Sequence, residues 1–242
     1  MISTEAVQIT TTVEKSDRFL ELKPAFPKSE VFRLLGGGNG ETGSRATSRK
    51  VQKWSEHLLS ITEPEIVYSV QAVAEVGKGY VRLARGPVFR SRKLARAFRE
   101  CELAVCFVGT LGHGIEDEIG SLTLRGKLAD AFVVDALGSA GIEHAVERFY
   151  GALEDHFRLQ GKGLTLRFSP GYCDWPLDQQ AQLLDLVDTR LVGVTLLESS
   201  LMTPRKSISG IFGITSRRMA SFTKYNPCVV CQQKHCIARR FS

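Results

Sequence analysis

The chain has 242 residues, 43% of them hydrophobic, and a formal charge of +6, which is enough to bury a sizeable core as one large or two small domains. No apolar run approaches the roughly 18 residues a membrane helix needs, and Glu5 stands where a secretory leader would be basic and then apolar, so the expected location is the cytoplasm and no membrane partner is expected. The positive balance suits an acidic partner, but no recognition helix, zinc finger or aromatic RNA-binding signature accompanies it, and nucleic acid is not the expected one.

In chain order, residues 1–28 hold a threonine-rich run from Ala6 to Val13 and then Pro24 and Pro27, and read as an arm or an added edge strand. Gly36-Gly37-Gly38-Asn39-Gly40 is a turn; it lacks the Lys-Ser/Thr that a phosphate loop needs at its end. Val51, Trp54, Leu58 and Leu59 have helical spacing that ends before Pro64. Between Ser91 and Cys101, helical spacing puts Arg92, Arg96 and Arg99 on one face and Leu94, Phe98 and Cys101 on the other. That pattern is a solvated face over a core stripe or, alternatively, a docking face for an acidic protein.

Leu103 to Val108 reads as a buried strand, and Gly109-Thr110-Leu111-Gly112-His113-Gly114 as its exit turn into a helix opening with Glu116, Asp117 and Glu118, where acidic residues complement the helix dipole. His113 reads as an exposed loop side chain rather than a base or ligand. A helix follows from Gly126 to about Leu159, with a break expected at Gly138 or Gly141 and with Leu128, Phe132, Ala136, Val146, Phe149 and Leu153 inward. A mid-helix glycine costs about 1 kcal/mol relative to alanine, so a close approach to its backbone is expected there.

Leu164, Leu166 and Phe168 alternate with Thr165 and Arg167, the pattern of a half-buried strand with Arg167 on the opposite face. Pro170 must end it, and Pro170-Gly171 turns the chain. Arg167, the turn and Tyr172 therefore put a cation, a stiff corner and an aromatic face at one strand end. Pro176 and Asp178 open a helix with Leu183, Leu184 and Val187 inward, and strands are expected at Leu191 to Leu197 and Ser207 to Ile214. Helices and strands mix without regular βαβ alternation, which argues for α+β with a largely antiparallel sheet.

Cys101 and Cys106 flank the buried strand, Cys173 follows Tyr172, and Cys228, Cys231 and Cys236 make a C-x2-C-x4-C tail beside His235, ahead of the basic pair Arg239 and Arg240. In a reducing compartment such clustering suggests metal or redox chemistry before disulfides. Three soft ligands suit zinc or an iron–sulfur cluster, each wanting a fourth ligand that Cys173 or His235 can supply. The alternative is a tail of reduced structural thiols.

Two motifs in order, Arg167-x-x-Pro170-Gly171-Tyr172 and the run from Leu197 and Glu198 through Pro204 to Ser209-Gly210, resemble the activation domain of cobalamin-dependent methionine synthase. Asp135-Ala136-Leu137 with Glu143 beyond it, and the Gly109-Thr110-Leu111-Gly112 turn, agree. The resemblance spans residues 29–216 and leaves 1–28 as the arm and 217–242 as a cysteine-containing tail. In length the chain is similar to stand-alone relatives of that domain, without room for homocysteine, folate or cobalamin modules.

The resemblance implies a twisted, largely antiparallel sheet with flanking helices in a helmet-like shape. It also implies an S-adenosylmethionine site in which Arg167 forks onto the carboxylate and Glu143 balances the amino group. Tyr172 sets a ring near the sulfonium, Pro170 and Gly171 bring backbone close, and Glu198, Ser199 and Ser209 line the pocket. The implied function is reductive methylation, or reactivation, of a cobalamin or other corrinoid held by a partner, as in B12-dependent methionine synthesis. The partner would be a corrinoid-binding protein or methionine synthase subunit, with a flavodoxin-like or iron–sulfur electron donor. No catalytic acid or base is implied. A second reading is a metal- or iron–sulfur-bearing interaction or electron-transfer module of a corrinoid methyltransferase system.

Overall fold

Three long strands dominated by apolar side chains, β2 (Glu65–Gly77), β5 (Cys101–Thr110) and β9 (Ser207–Thr215), form the centre of the computed structural model, which describes residues 15–20, 22–36, 43–84, 86–215 and 225–232. The Ala6–Val13 run and the glycines from Gly37 to Gly40 lie outside the described residues. Adding β3 (Tyr80–Leu83), β4 (Val88–Arg90) and β6 (Gly163–Leu164) gives the sheet order β4-β3-β2-β5-β9-β6, with β1 (Ser16–Phe19) also on β2. Every one of these pairings is antiparallel. A separate two-stranded hairpin joins β7 (Thr195–Leu196) to β8 (Met202–Thr203).

Side chains alternate across a strand, so each central strand serves two layers. Val67, Cys106, Val108 and Ile211 face one layer, capped by α3 (Arg92–Ala97), α6 (Gln180–Leu184) and the buried Phe98, Leu183 and Trp175. Their sequence neighbours Ile66, Tyr68, Phe107 and Phe212 face α5 (Leu128–Leu159), meeting Val146, Phe149, Leu153 and Phe157. Phe149 is the hub of that layer, with its ring 5.2 Å from Phe19, 5.3 Å from Tyr68 and 5.7 Å from Phe107. The amino-terminal half of α5 instead packs on α1 (Lys28–Leu34), α2 (Arg45–Leu58) and α4 (Gly114–Leu124) through Val31, Val51, Trp54, Ile115 and Leu137. The class is the α+β, antiparallel one expected. Among the described residues no helix is long and apolar enough to cross a membrane.

Helix α5 runs 32 residues without the expected break. Its glycines allow contact rather than bending: a Cβ on Gly141 would lie 2.9 Å from the Phe26 ring, and one on Gly138 would lie 3.0 Å from both Ile115 and the Lys206 stem. The inward stripe also starts in a different phase. Ala131, Val134 and Leu137 are buried while Leu128 and Phe132 are 64% and 58% exposed, because Asp130 turns toward α2 to accept from Lys50 Nζ (2.6 Å) and Trp54 Nε1 (3.0 Å).

Helix α3 is shorter than its periodicity suggested. Ser91 Oγ accepts from the Leu94 N–H at 3.0 Å to cap it, an arrangement that satisfies an otherwise orphaned donor. Leu94, Phe98 and Cys101 are buried, and Arg92, Arg96 and Arg99 are exposed. The strand expected from Leu191 is instead a 3-10 turn, Thr189–Val192, which ends on left-handed Gly193 (φ 62°) and leaves only Thr195–Leu196 extended.

Candidate functional site

The strand that carries Arg167 is bulged. Thr165 N–H donates to Gly213 O (2.9 Å), and Phe168 and Ile211 exchange both backbone bonds (3.0 and 2.8 Å), so Leu166 and Arg167 together stand opposite Phe212. The Thr165 hydroxyl takes over a ladder position by accepting from the Gly213 N–H at 2.8 Å. Such an extra residue re-aims the side chains beyond it. Leu164 therefore packs in the α5 layer while Phe168 packs in the opposite one, where simple alternation had put them on the same face.

Arg167, lifted out of the ladder, reaches α5. Its Nη1 and Nη2 donate to the two oxygens of Glu143 at 3.0 and 3.1 Å, a forked pair of the kind only a planar guanidinium makes. The arginine side chain is 14% exposed and that of the glutamate 41%. Arg167 Nε and Ser169 Oγ are buried without a hydrogen-bond partner. Buried polar atoms are normally satisfied, and both of these belong to residues that border the same cavity.

Ser169-Pro170-Gly171-Tyr172 is a tight turn, closed by Tyr172 N–H to Ser169 O at 3.3 Å. Proline second and glycine third at φ 82° is the type II arrangement, in which only glycine takes the positive φ cheaply. A second turn follows at once, Trp175 N–H to Tyr172 O at 3.1 Å, with Cys173 left-handed at φ 60°. Asp174 fastens this loop to α3, accepting from Ser91 Oγ (2.5 Å), Arg92 N–H (2.9 Å) and Lys93 N–H (3.3 Å). Trp175 adds an edge contact to Phe89, ring centres 5.0 Å apart.

These elements enclose a cavity of about 490 Å³ bounded by Glu143, Arg167, the Ser169 to Tyr172 turn, Gln180, the β7–β8 corner at Ser200 to Met202, and Ser207 to Ser209 of β9. Of the residues singled out from sequence, Glu143, Arg167, Pro170, Gly171, Tyr172 and Ser209 all line it. Glu198 and Ser199 lie exposed in the same corner beside the lining Ser200 and are not themselves on the wall. Gln180 is on the wall and carried no sequence signal. Its Nε2 donates to Ser200 O at 2.9 Å and its Oε1 accepts from Ser209 Oγ at 3.4 Å, holding the corner to β9. Lys206 braces the other side, donating to Asp135 (2.8 Å) and Ser139 Oγ (2.9 Å) on α5.

The cysteines divide by environment. Burial pushes the Cys101 thiol up to about 12, with Glu100 adding to the effect, and raises Cys106 further; both are structural. Cys173 is exposed in its turn, and burial of its sulfur raises the thiol while Lys93 opposes the rise. Cys228 and Cys231 are half-buried, whereas His235 and Cys236 lie outside the described residues. Among the described residues no three His, Cys, Asp or Glu side chains stand close enough to hold a metal ion. His113 stands at the start of α4 without a side-chain capping bond.

No protein-family model and no curated protein matches the chain. Among solved structures it is similar to a crystal structure of the MetH reactivation domain bound to AdoHcy, with a TM-score of 0.64 and 16% identity over 88% of this chain and 80% of that one. The two share a fold, an antiparallel sheet flanked by helices.

Proposed function

We propose that the chain binds S-adenosylmethionine in the cavity between the Ser169–Tyr172 turn, α5 and β9, and supports reductive methylation of a cobalamin or related corrinoid held by a partner protein. The observation that carries this reading is the forked Arg167–Glu143 pair, set at a cavity wall with Arg167 Nε and Ser169 Oγ still lacking partners. An amino-acid zwitterion is complementary to that pair. Its carboxylate sits on the guanidinium, its ammonium on Glu143, and one ion pair becomes two.

A cavity of about 490 Å³ is of the size that small-molecule sites have. Leu177, Leu201, Met202 and Ile208 provide apolar wall for the nucleoside end. Tyr172, 47% exposed at the rim, is placed where its ring can face a sulfonium; such cation–π contacts contribute about 0.5–2 kcal/mol. When bound, the sulfonium supplies an electrophilic methyl group and the partner's reduced corrinoid the nucleophile that takes it. The chain's own part is to hold the donor by its amino-acid end and leave the methyl group facing an open mouth, an effect of proximity and orientation that needs no general acid or base.

The fold shared with a domain solved with AdoHcy supports the same ligand class. Under this reading the partner is a methionine synthase subunit or another corrinoid-binding protein, reduced by a flavodoxin-like or iron–sulfur donor. Titration calorimetry tests it with S-adenosylmethionine, S-adenosylhomocysteine and methylthioadenosine, which lacks the amino-acid end. The first two bind, and the third binds at least about 100-fold more weakly, the loss of a charge-assisted pair. No heat from the first two removes the reading, and equal affinity for the third removes the role given to Arg167 and Glu143.

A further inference from the structure

Two adjacent glutamines, the last residue of a 3-10 turn (Leu177–Gln179) and the first of α6, use their amides differently. Gln179 Oε1 accepts twice, from the Arg90 N–H at 2.9 Å and from Trp175 Nε1 at 3.2 Å, which pins the start of α6 to β4 and to the loop after Tyr172. Gln180, only 5% exposed, borders the donor cavity instead. A primary amide offers two N–H donors and two acceptor lone pairs. Among the described residues Gln180 uses one of each, Nε2 donating to Ser200 O at 2.9 Å and Oε1 accepting from Ser209 Oγ at 3.4 Å. One donor and one acceptor are left on an amide at the cavity wall.

Ser200 decides which way round that amide stands. A carbonyl can only accept, so the nitrogen must face it, whereas the Ser209 hydroxyl serves either orientation. The corner that presents the carbonyl is itself tightly made. Ser200 N–H donates to Leu197 O (2.9 Å) and Leu197 N–H to Leu201 O (2.8 Å), with Ser200 left-handed at φ 61°. Glycine is the usual residue at that place in such a hairpin loop. A serine there is backbone strain that persists only where the surroundings hold it, and the bond from Gln180 is one such hold.

The neighbourhood of the amide is apolar. Leu177, three residues before Gln180, Leu201 beside Ser200 and Ile208 beside Ser209 all border the same cavity. Helix α6 also packs on the face of the sheet opposite to α5, so the amide and Glu143 reach the cavity from different layers. The Gln180 end is therefore suited to the part of the ligand that is flat and weakly polar, away from the amino-acid end.

We propose that Gln180 reads the nucleobase of the methyl donor, accepting from the exocyclic amine of adenine and donating to a ring nitrogen beside it; the assignment rests on the donor site proposed above. Adenine shows a donor next to an acceptor, the pattern that a glutamine amide matches with both of its atoms. Hypoxanthine has a carbonyl in place of the amine and a hydrogen on N1. To pair with it the amide must turn over, which sets its oxygen against Ser200 O and leaves both carbonyls unmatched. The fixed corner thus turns a polar wall residue into a selector between bases.

Titration calorimetry on the full chain tests this with S-adenosylhomocysteine and S-inosylhomocysteine, its hypoxanthine counterpart, which share the amino-acid end. Wild type is expected to bind the adenine compound at least about tenfold more tightly. Gln180→Met, which keeps the length of the side chain without donor or acceptor, should bind the two within about threefold of each other. A role limited to holding the corner would weaken both ligands alike and leave their ratio unchanged. Equal binding of the two by wild type, or a Gln180→Met chain that keeps the full preference, overturns the assignment while the donor site stands. Absence of binding by either compound overturns the donor site and the assignment together. The wild-type comparison needs no variant, so it decides the matter even where Gln180→Met fails to fold.

Discussion

Arg167 grips Glu143 through both terminal nitrogens, at 3.0 and 3.1 Å, although the two residues come from a bulged strand end and the middle of a long helix. Under the proposed reading, each group occupies the surface that its partner would offer to the amino-acid end of the donor. Arg167→Ala is expected to weaken S-adenosylmethionine binding by more than about 100-fold, since a charge-assisted fork is lost and Glu143 is left unmatched. Arg167→Lys, which keeps the charge but not the fork, should cost about tenfold, and Glu143→Gln a similar factor. Calorimetry on the three variants checks the order. An alanine variant within about threefold of wild type would place the ligand elsewhere.

The bulge makes a second prediction. A Cβ on Gly210 would lie 2.8 Å from the Phe107 ring and 2.9 Å from Phe168 O, the carbonyl that closes the narrow pair with Ile211. A ring can shift, but a ladder carbonyl cannot shift without moving Arg167. Gly210→Ala is expected to cost about 1–3 kcal/mol of stability, the usual range for overpacking, and to weaken donor binding as well. Urea unfolding and calorimetry on the same preparation read both effects. Loss of stability with unchanged affinity would separate the bulge from the site.

Phe149 and Phe132 lie on one helix and test its phase. Phe149 is fully buried against Phe19, Tyr68 and Phe107, and Phe132 is 58% exposed. Phe149→Ala should lose about 3–5 kcal/mol, against about 0.5 kcal/mol or less for Phe132→Ala. Chemical denaturation midpoints distinguish them, and similar losses would mean that the helix faces the sheet differently.

How far the sequence could be read follows from these same residues. Arg167, the Pro170-Gly171 turn and Tyr172 are local features whose consequences are local, and they line one cavity with Glu143, a residue that the family resemblance and not spacing had joined to them. Period-two alternation cannot register a residue inserted into one strand, so the face of Phe168 was not readable. Periodicity likewise gave α5 its length but not its phase: Asp130 prefers Lys50 and Trp54 on another helix, and that tertiary contact exposes Leu128 and Phe132. Gln180 reads as an ordinary polar helix residue, and only the meeting of α6 with Ser200 and Ser209 gives it a task. Gly138 and Gly141 suggested a break because their use, close contact with Lys206 and Phe26, involves residues remote in sequence.

Asp130 also makes the fold sensitive to acid. Hydrogen bonds from Lys50 and Trp54 hold its carboxyl below the ordinary value of 3.8, with the charges of Lys50 and Lys53 adding to the effect. A carboxylate whose folded pKa is depressed binds protons more readily when unfolded, so its stabilising contribution is complete above the unfolded value and is lost as pH falls through the folded one. Asp130→Asn should therefore be less stable than wild type at neutral pH by about 0.5–1 kcal/mol, a modest figure because the pair is partly solvated and screened by salt. The gap should close as the solution is taken below about pH 4, where the wild-type carboxyl is itself increasingly protonated. Thermal unfolding of both proteins across that window checks the claim. A gap that stays constant with pH would assign the loss to packing of the α2–α5 contact rather than to the charge.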